Sequence, residues 1–128
     1  MPRRWNRRVS LALVLASGLA LSACGGGGGG TAETKTATGG VIDVNAHDPF
    51  RFDVKTIKAS PGPLTINLHE KGGTQHTFTL SSPKFELVVT AGKPEASGTV
   101  NLRAGTYPFK CSVAGHAAAG MTGTIVVG

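Results

Sequence analysis

The sequence predicts an all-β domain, a β-sandwich or small barrel, on three observations. From residue 41 onward, eight short runs are rich in β-branched and aromatic residues. Several of them alternate apolar with polar positions, the period of a half-buried strand. Turn-forming clusters separate the runs, and no stretch beyond the N-terminal leader has a helical period.

In chain order the runs are "VIDVNA" (41–46), "FRFDVKTI" (50–57), "LTINLHE" (64–70), "QHTFTL" (75–80), "FELVVTA" (85–91), "SGTVNL" (97–102), "TYPFKC" (106–111) and "MTGTIVV" (121–127). The third shows the alternation best, with Leu64, Ile66 and Leu68 against Thr65, Asn67 and His69. "ASPGP", "EKGG", "SSP", "AGKPEAS" and "LRAG" supply the turns. Pro108 has no N–H to give a ladder, so it belongs at an edge or a bulge. An immunoglobulin-type core would need two cysteines and a tryptophan. Trp5 and Cys24 both lie outside the strand region, which excludes it.

The N-terminal part is of a different kind. "MPRRWNRRVS" carries four arginines, and the apolar run "LALVLASGLAL" that follows is too short for a spanning helix, which needs about 20 residues. A basic stretch, a short apolar stretch and "LSAC" make a secretory signal over residues 1–23. "LSAC" resembles the lipobox of bacterial lipoproteins, which implies lipidation of Cys24 and a mature chain that begins there. The alternative is an ordinary signal peptide with Cys24 incidental or paired with Cys111. Residues 24–40, with six consecutive glycines, read as a flexible linker spanning on the order of 20–25 Å. Residues 41–128 form the domain. The expected location is extracytoplasmic, at the periplasm or cell surface, with the chain held to a membrane at Cys24.

Loss of the leader also changes the charge. The whole chain has a net charge of +6, but Arg3, Arg4, Arg7 and Arg8 go with the leader, leaving nine basic residues against seven acidic. A nucleic-acid partner is therefore not expected. Of the two methionines, Met121 alone remains.

Met121 closes the stretch "CSVAGHAAAGM" (111–121), in which Cys111, His116 and Met121 are five residues apart. On a helix, steps of five rotate successive side chains by roughly 140°, and on a strand an odd step flips the face. The three converge only if the segment is a loop, and Gly115 and Gly120 permit the bends it needs. Among the other histidines, His47 in "NAHDPF" reads as a turn residue and His69 as a solvated residue on a polar strand face. His76 opens the strand "HTFTL" after a turn, at one end of the sandwich, where a distant loop can reach it. Two imidazoles, a thiolate and a thioether suit copper in both oxidation states. A structural zinc site would more often show paired C-x-x-C spacings. A binuclear copper site would need a second cysteine in the loop.

With these residues in view, the sequence resembles the cupredoxins, the plastocyanin, azurin and auracyanin family of small blue copper proteins. The likeness covers residues 41–128 and is densest over "TYPFKCSVAGHAAAGMTGTIVV". It implies an eight-stranded Greek-key sandwich with one copper per chain, cycling between Cu(I) and Cu(II), bound by His76, Cys111, His116 and Met121. It implies a monomeric electron carrier, not an enzyme, whose partner is a redox protein such as a c-type cytochrome or a terminal oxidase. Copper delivery without electron traffic is the alternative, and a metal-free domain with Cys111 as a buried thiol is a third reading. The chain departs from the family pattern in three places. Thr77 stands where Asn is frequent, although its hydroxyl can still bond across to the Cys111 loop. Ala114 stands where many members have Pro, and one residue is added between His116 and Met121 relative to azurin. Ala114, Ala117, Ala118 and Ala119 are expected to form an uncharged collar around the His116 ring, where a partner docks.

Overall fold

The computed structural model describes residues 33–128. The leader, Cys24 and the glycine run lie outside the described residues. Within them the chain forms ten strands: β1 (Thr34–Thr36), β2 (Val41–His47), β3 (Arg51–Phe52), β4 (Thr56–Ala59), β5 (Gly62–Glu70), β6 (His76–Leu80), β7 (Phe85–Val89), β8 (Glu95–Leu102), β9 (Gly105–Lys110) and β10 (Thr122–Val127). No helix occurs among the described residues.

Ten strands replace the expected eight for two local reasons. The run "FRFDVKTI" is broken into β3 and β4 because Asp53 turns its carboxylate onto the backbone N–H of Asn45, at 2.9 Å. The second addition, β1, falls inside the predicted linker. It pairs in parallel with β4, Thr34 opposite Thr56, so the ordered chain begins earlier than residue 41. Lys35 on β1 also reaches Asp53, 2.6 Å away. Burial pushes the Asp53 carboxyl up, but bonds from Lys35 and Asn45 outweigh it and leave it below the ordinary carboxylate range.

The strands form a six-stranded sheet in the order β1-β4-β10-β9-β6-β7 and a four-stranded sheet in the order β3-β2-β5-β8. The sheets are mixed: β2 lies parallel to β5, and β10 parallel to β4, while the remaining neighbours within the larger sheet from β10 to β7 are antiparallel. Pro108 is tolerated because β6 pairs with β9 only at Phe109 and Lys110, so the β6-facing edge is free just where the proline sits.

The inner faces follow the period of two. Leu64, Ile66 and Leu68 on β5 are buried as expected, together with Ile42, Val44 and Ala46 on β2. Phe78 and Phe109 stack at 4.5 Å between ring centroids, and Phe52 meets Phe109 edge-on at 5.5 Å. Gly123, opposite Phe109 on β10, leaves the room that ring occupies. The aromatic cluster therefore packs beneath His76, two residues before Phe78 on the same inward face of β6.

Candidate metal centre

Cys111 directly follows β9 and Met121 directly precedes β10, so the two strands deliver both residues to one end of the sandwich. The backbone N–H of Cys111 donates to the Met121 carbonyl at 3.0 Å, which closes the intervening loop at its base. Inside the loop His116 N–H donates to the Val113 carbonyl and Met121 N–H to the His116 carbonyl, each at 3.1 Å. Gly115 and Gly120 take positive φ values of 83° and 104°, as the tight path requires. These bonds fold the loop back so that His116 points inward, only 6% exposed.

One nitrogen each of His76 and His116 and the sulfur of Cys111 lie within 4.8 Å of one another. His116 Nδ1 is 3.4 Å from the Cys111 sulfur. That sulfur also accepts the Thr77 backbone N–H at 3.3 Å. Met121 is fully buried at the end of the same loop. The Thr77 hydroxyl bridges to the loop, accepting Ser112 N–H at 2.7 Å and meeting the Ser112 hydroxyl at 2.9 Å. Where the family pattern has Asn, this chain thus ties β6 to the Cys111 loop by a hydroxyl.

The donor set fits a soft metal ion on the chain's own geometry. Nδ1 of His76 is buried and has no hydrogen-bond partner among the described residues. A buried polar group left unsatisfied costs about 1–3 kcal/mol. An ion held among His76, Cys111 and His116 removes that cost. Two imidazole nitrogens with a thiolate and a nearby thioether match copper in either oxidation state.

Sequence reasoning missed the segment between β2 and β3. Asp48 places Oδ1 3.1 Å from His76 Nε2. Phe50, 41% exposed, lies against the His116 ring with centroids 4.6 Å apart. One short loop therefore touches both histidines. The backbone N–H of Gly73 above all, with help from Thr74 and His76, outweighs burial and lowers the Asp48 carboxyl to about 2. Glu70 also reaches this end, with Oε2 3.8 Å from His76 Nε2 and its side chain 1% exposed. Its signal was present in the sequence: Glu70 continues the buried series Leu64, Ile66, Leu68 at the next step of two. Asp48 and Phe50 carried no such signal. His47 ends β2, and His69 lies between Asp43 and Glu95 at 3.4 and 3.5 Å, on the outer face of the smaller sheet. Neither joins the cluster. Ala114, Ala118 and Ala119 are exposed and Ala117 half-buried, and it is Phe50 that lies against the His116 ring.

A family model of copper binding proteins, the plastocyanin/azurin family, matches residues 40–128. No curated protein sequence matches the chain. Among solved structures, reduced rusticyanin is 25% identical, with a TM-score of 0.60 over 77% of this chain and 87% of its own. A second rusticyanin structure, described as that of a copper protein, is 25% identical, with a TM-score of 0.59 over 77% of this chain and 85% of its own. Oxidised plastocyanin from Dryopteris crassirhizoma is 21% identical with a TM-score of 0.55, over 68% of this chain and all of its own length, and shares the fold.

Proposed function

This chain belongs to the plastocyanin/azurin family of copper-binding proteins, the cupredoxins, and on that premise we propose that it shuttles single electrons between redox partners outside the cytoplasm. The cofactor is one copper ion per chain, in a mononuclear type 1 centre built from His76, Cys111, His116 and Met121. Held there, copper would supply one-electron chemistry between Cu(I) and Cu(II).

The observation that carries the reading is the buried His76–Cys111–His116 cluster, whose members are each held by bonds the chain makes itself. Cys111 is fixed by Thr77 N–H, His116 by the loop backbone and His76 by Asp48. Side chains anchored in this way have little room to move when the charge at the centre changes by one. A small rearrangement is what fast electron exchange requires.

A reversible one-electron couple in voltammetry tests the proposal, and an irreversible response would favour copper delivery instead. Met121 provides a finer check. The Met121 thioether would be a weak donor to the ion, which would disfavour Cu(II) and raise the potential. Met121→Gln, with an amide oxygen as a stronger donor, is expected to lower the potential and retain one copper per chain. An unmoved potential would remove Met121 from the ligand set.

For docking we assign the surface formed by Ala114, Ala117, Ala118 and Ala119, extended by exposed Phe50 against the His116 ring. Small uncharged side chains let a c-type cytochrome or terminal oxidase approach His116 closely, and a small apolar patch suits the weak contacts of redox pairs. Ala118→Glu is expected to slow electron transfer to the partner while absorption and copper content stay constant. Equal rates would mean that electrons leave elsewhere.

Lipidation at Cys24 would hold the carrier at a membrane. One acyl chain binds only marginally, so the proposal requires the several chains of a lipoprotein N-terminus. Cell fractionation decides it: Cys24→Ala protein is expected in the soluble fraction and unprocessed by lipoprotein maturation.

A further inference from the structure

His76 Nδ1 is buried without a hydrogen-bond partner among the described residues, and the other nitrogen, Nε2, faces two carboxylates. Asp48 Oδ1 is 3.1 Å away and Glu70 Oε2 3.8 Å away. The surroundings are shaped to hold both. Glu70 Oε1 accepts the backbone N–H of Gly72 at 2.5 Å, and Asp48 Oδ2 accepts that of Gly73 at 2.9 Å. Gly72 lies so close under the Asp48 carboxylate that a Cβ there would overlap it. The end of β5 with the glycine turn that follows it, and the loop carrying Asp48, therefore seat two acceptors beside one ring nitrogen.

We propose that Asp48 and Glu70 are positioning residues that clamp His76 in its ligating tautomer and lower the reduction potential of the centre. The proposal rests on the copper reading above. The hydrogen is placed by elimination. Glu70 Oε2 is buried with no hydrogen-bond partner among the described residues, and Asp48 Oδ1 lies within bonding distance of the same nitrogen. Were Nε2 bare, three lone pairs would converge with no hydrogen between them, two of them on the buried His76 and Glu70 side chains. The hydrogen therefore sits on Nε2 and is donated to Asp48. Nδ1 is left as a lone pair directed at the metal cluster, which explains why it finds no other partner.

A consequence for electron transfer follows. A carboxylate drawing on the Nε2 hydrogen makes the imidazole a stronger donor at Nδ1. Stronger donation favours Cu(II), so the clamp opposes the upward pull of the thioether. Asp48 acts through its hydrogen bond. Glu70, beyond hydrogen-bond distance, walls the nitrogen from water and adds an acceptor behind it.

The experiment has two readouts on the full chain. Nitrogen-15 NMR of the metal-free protein reports the His76 tautomer without any copper. The expected spectrum has the hydrogen on Nε2, in slow exchange with solvent, and Asp48→Ala speeds that exchange at least tenfold. Voltammetry of the copper form is expected to show an upward shift in Asp48→Asn and a smaller one in Glu70→Gln, with the blue absorption retained. Cu(II) affinity is expected to fall by about 10–100-fold in Asp48→Ala. Should that variant fail to fold, the isosteric Glu70→Gln and the parent tautomer still decide the matter. A hydrogen on Nδ1 in the parent protein, or potentials unchanged in both isosteric variants, would overturn the clamp. If the parent chain bound no copper, the carrier reading would fall, and the tautomer alone would uphold or overturn the clamp.

Discussion

Cys111→Ser is expected to abolish the intense visible absorption of the oxidised protein while leaving the sandwich folded. The colour of such a centre comes from charge transfer between the thiolate and Cu(II), and Cys111 is the one cysteine among the described residues. A serine hydroxyl can still accept the Thr77 N–H that now reaches the sulfur, so the substitution leaves no backbone donor stranded. Unfolding of the metal-free variant should match that of the parent within about 1 kcal/mol. Absorption spectra with copper analysis and thermal melts of the metal-free forms check both halves. Colour that survives the change would sink the assignment of Cys111.

The second large effect is structural. Gly123 lies opposite Phe109 in the β9–β10 pairing, and a Cβ at position 123 would run into the tip of that ring. The ring cannot retreat, because it is buried, stacked on Phe78 and met edge-on by Phe52. Gly123→Ala is expected to cost about 3 kcal/mol, the upper end for overpacking a core. For a domain of this size that lowers the melting temperature by roughly 12–24 °C. Adding Phe109→Leu to the same chain should recover part of the loss, since the two positions share one space. A melting temperature equal to that of the parent would show that the aromatic stack yields more easily than its packing implies.

The residues differ in how far they could be read without coordinates. The strands of the core were legible because burial on one face imposes a period of two, plain in Leu64, Ile66 and Leu68. The convergence of Cys111, His116 and Met121 was legible for the opposite reason: their spacing fits no regular element, so only a loop brings them together. Strand β1 was hidden because "TKT" has no apolar face; it is held through backbone pairing and the Lys35–Asp53 contact. The break at Asp53 was hidden because a polar residue at an alternating position looks the same whether it faces water or caps a neighbouring strand. Asp48 and Phe50 were beyond reach for a third reason. They act on His76 and His116 across long stretches of chain, through a loop whose composition encodes no direction.

The pairing of β1 also fixes where the tether leaves the domain. β10 starts at the copper end, immediately after Met121, and β4 and β1 run parallel to it, with Thr34 and Thr124 both level with Thr56. The chain therefore enters the sandwich at the same end that carries the metal. Between a lipidated Cys24 and Thr34 there is room for at most about 36 Å of fully extended backbone. An anchor at Cys24 would then be tied by a short leash beside the metal-bearing end rather than behind it. Were Cys24 lipidated as proposed, the copper end would be kept low over the bilayer, better placed for redox partners whose own sites open close to the membrane plane than for those that stand tall above it.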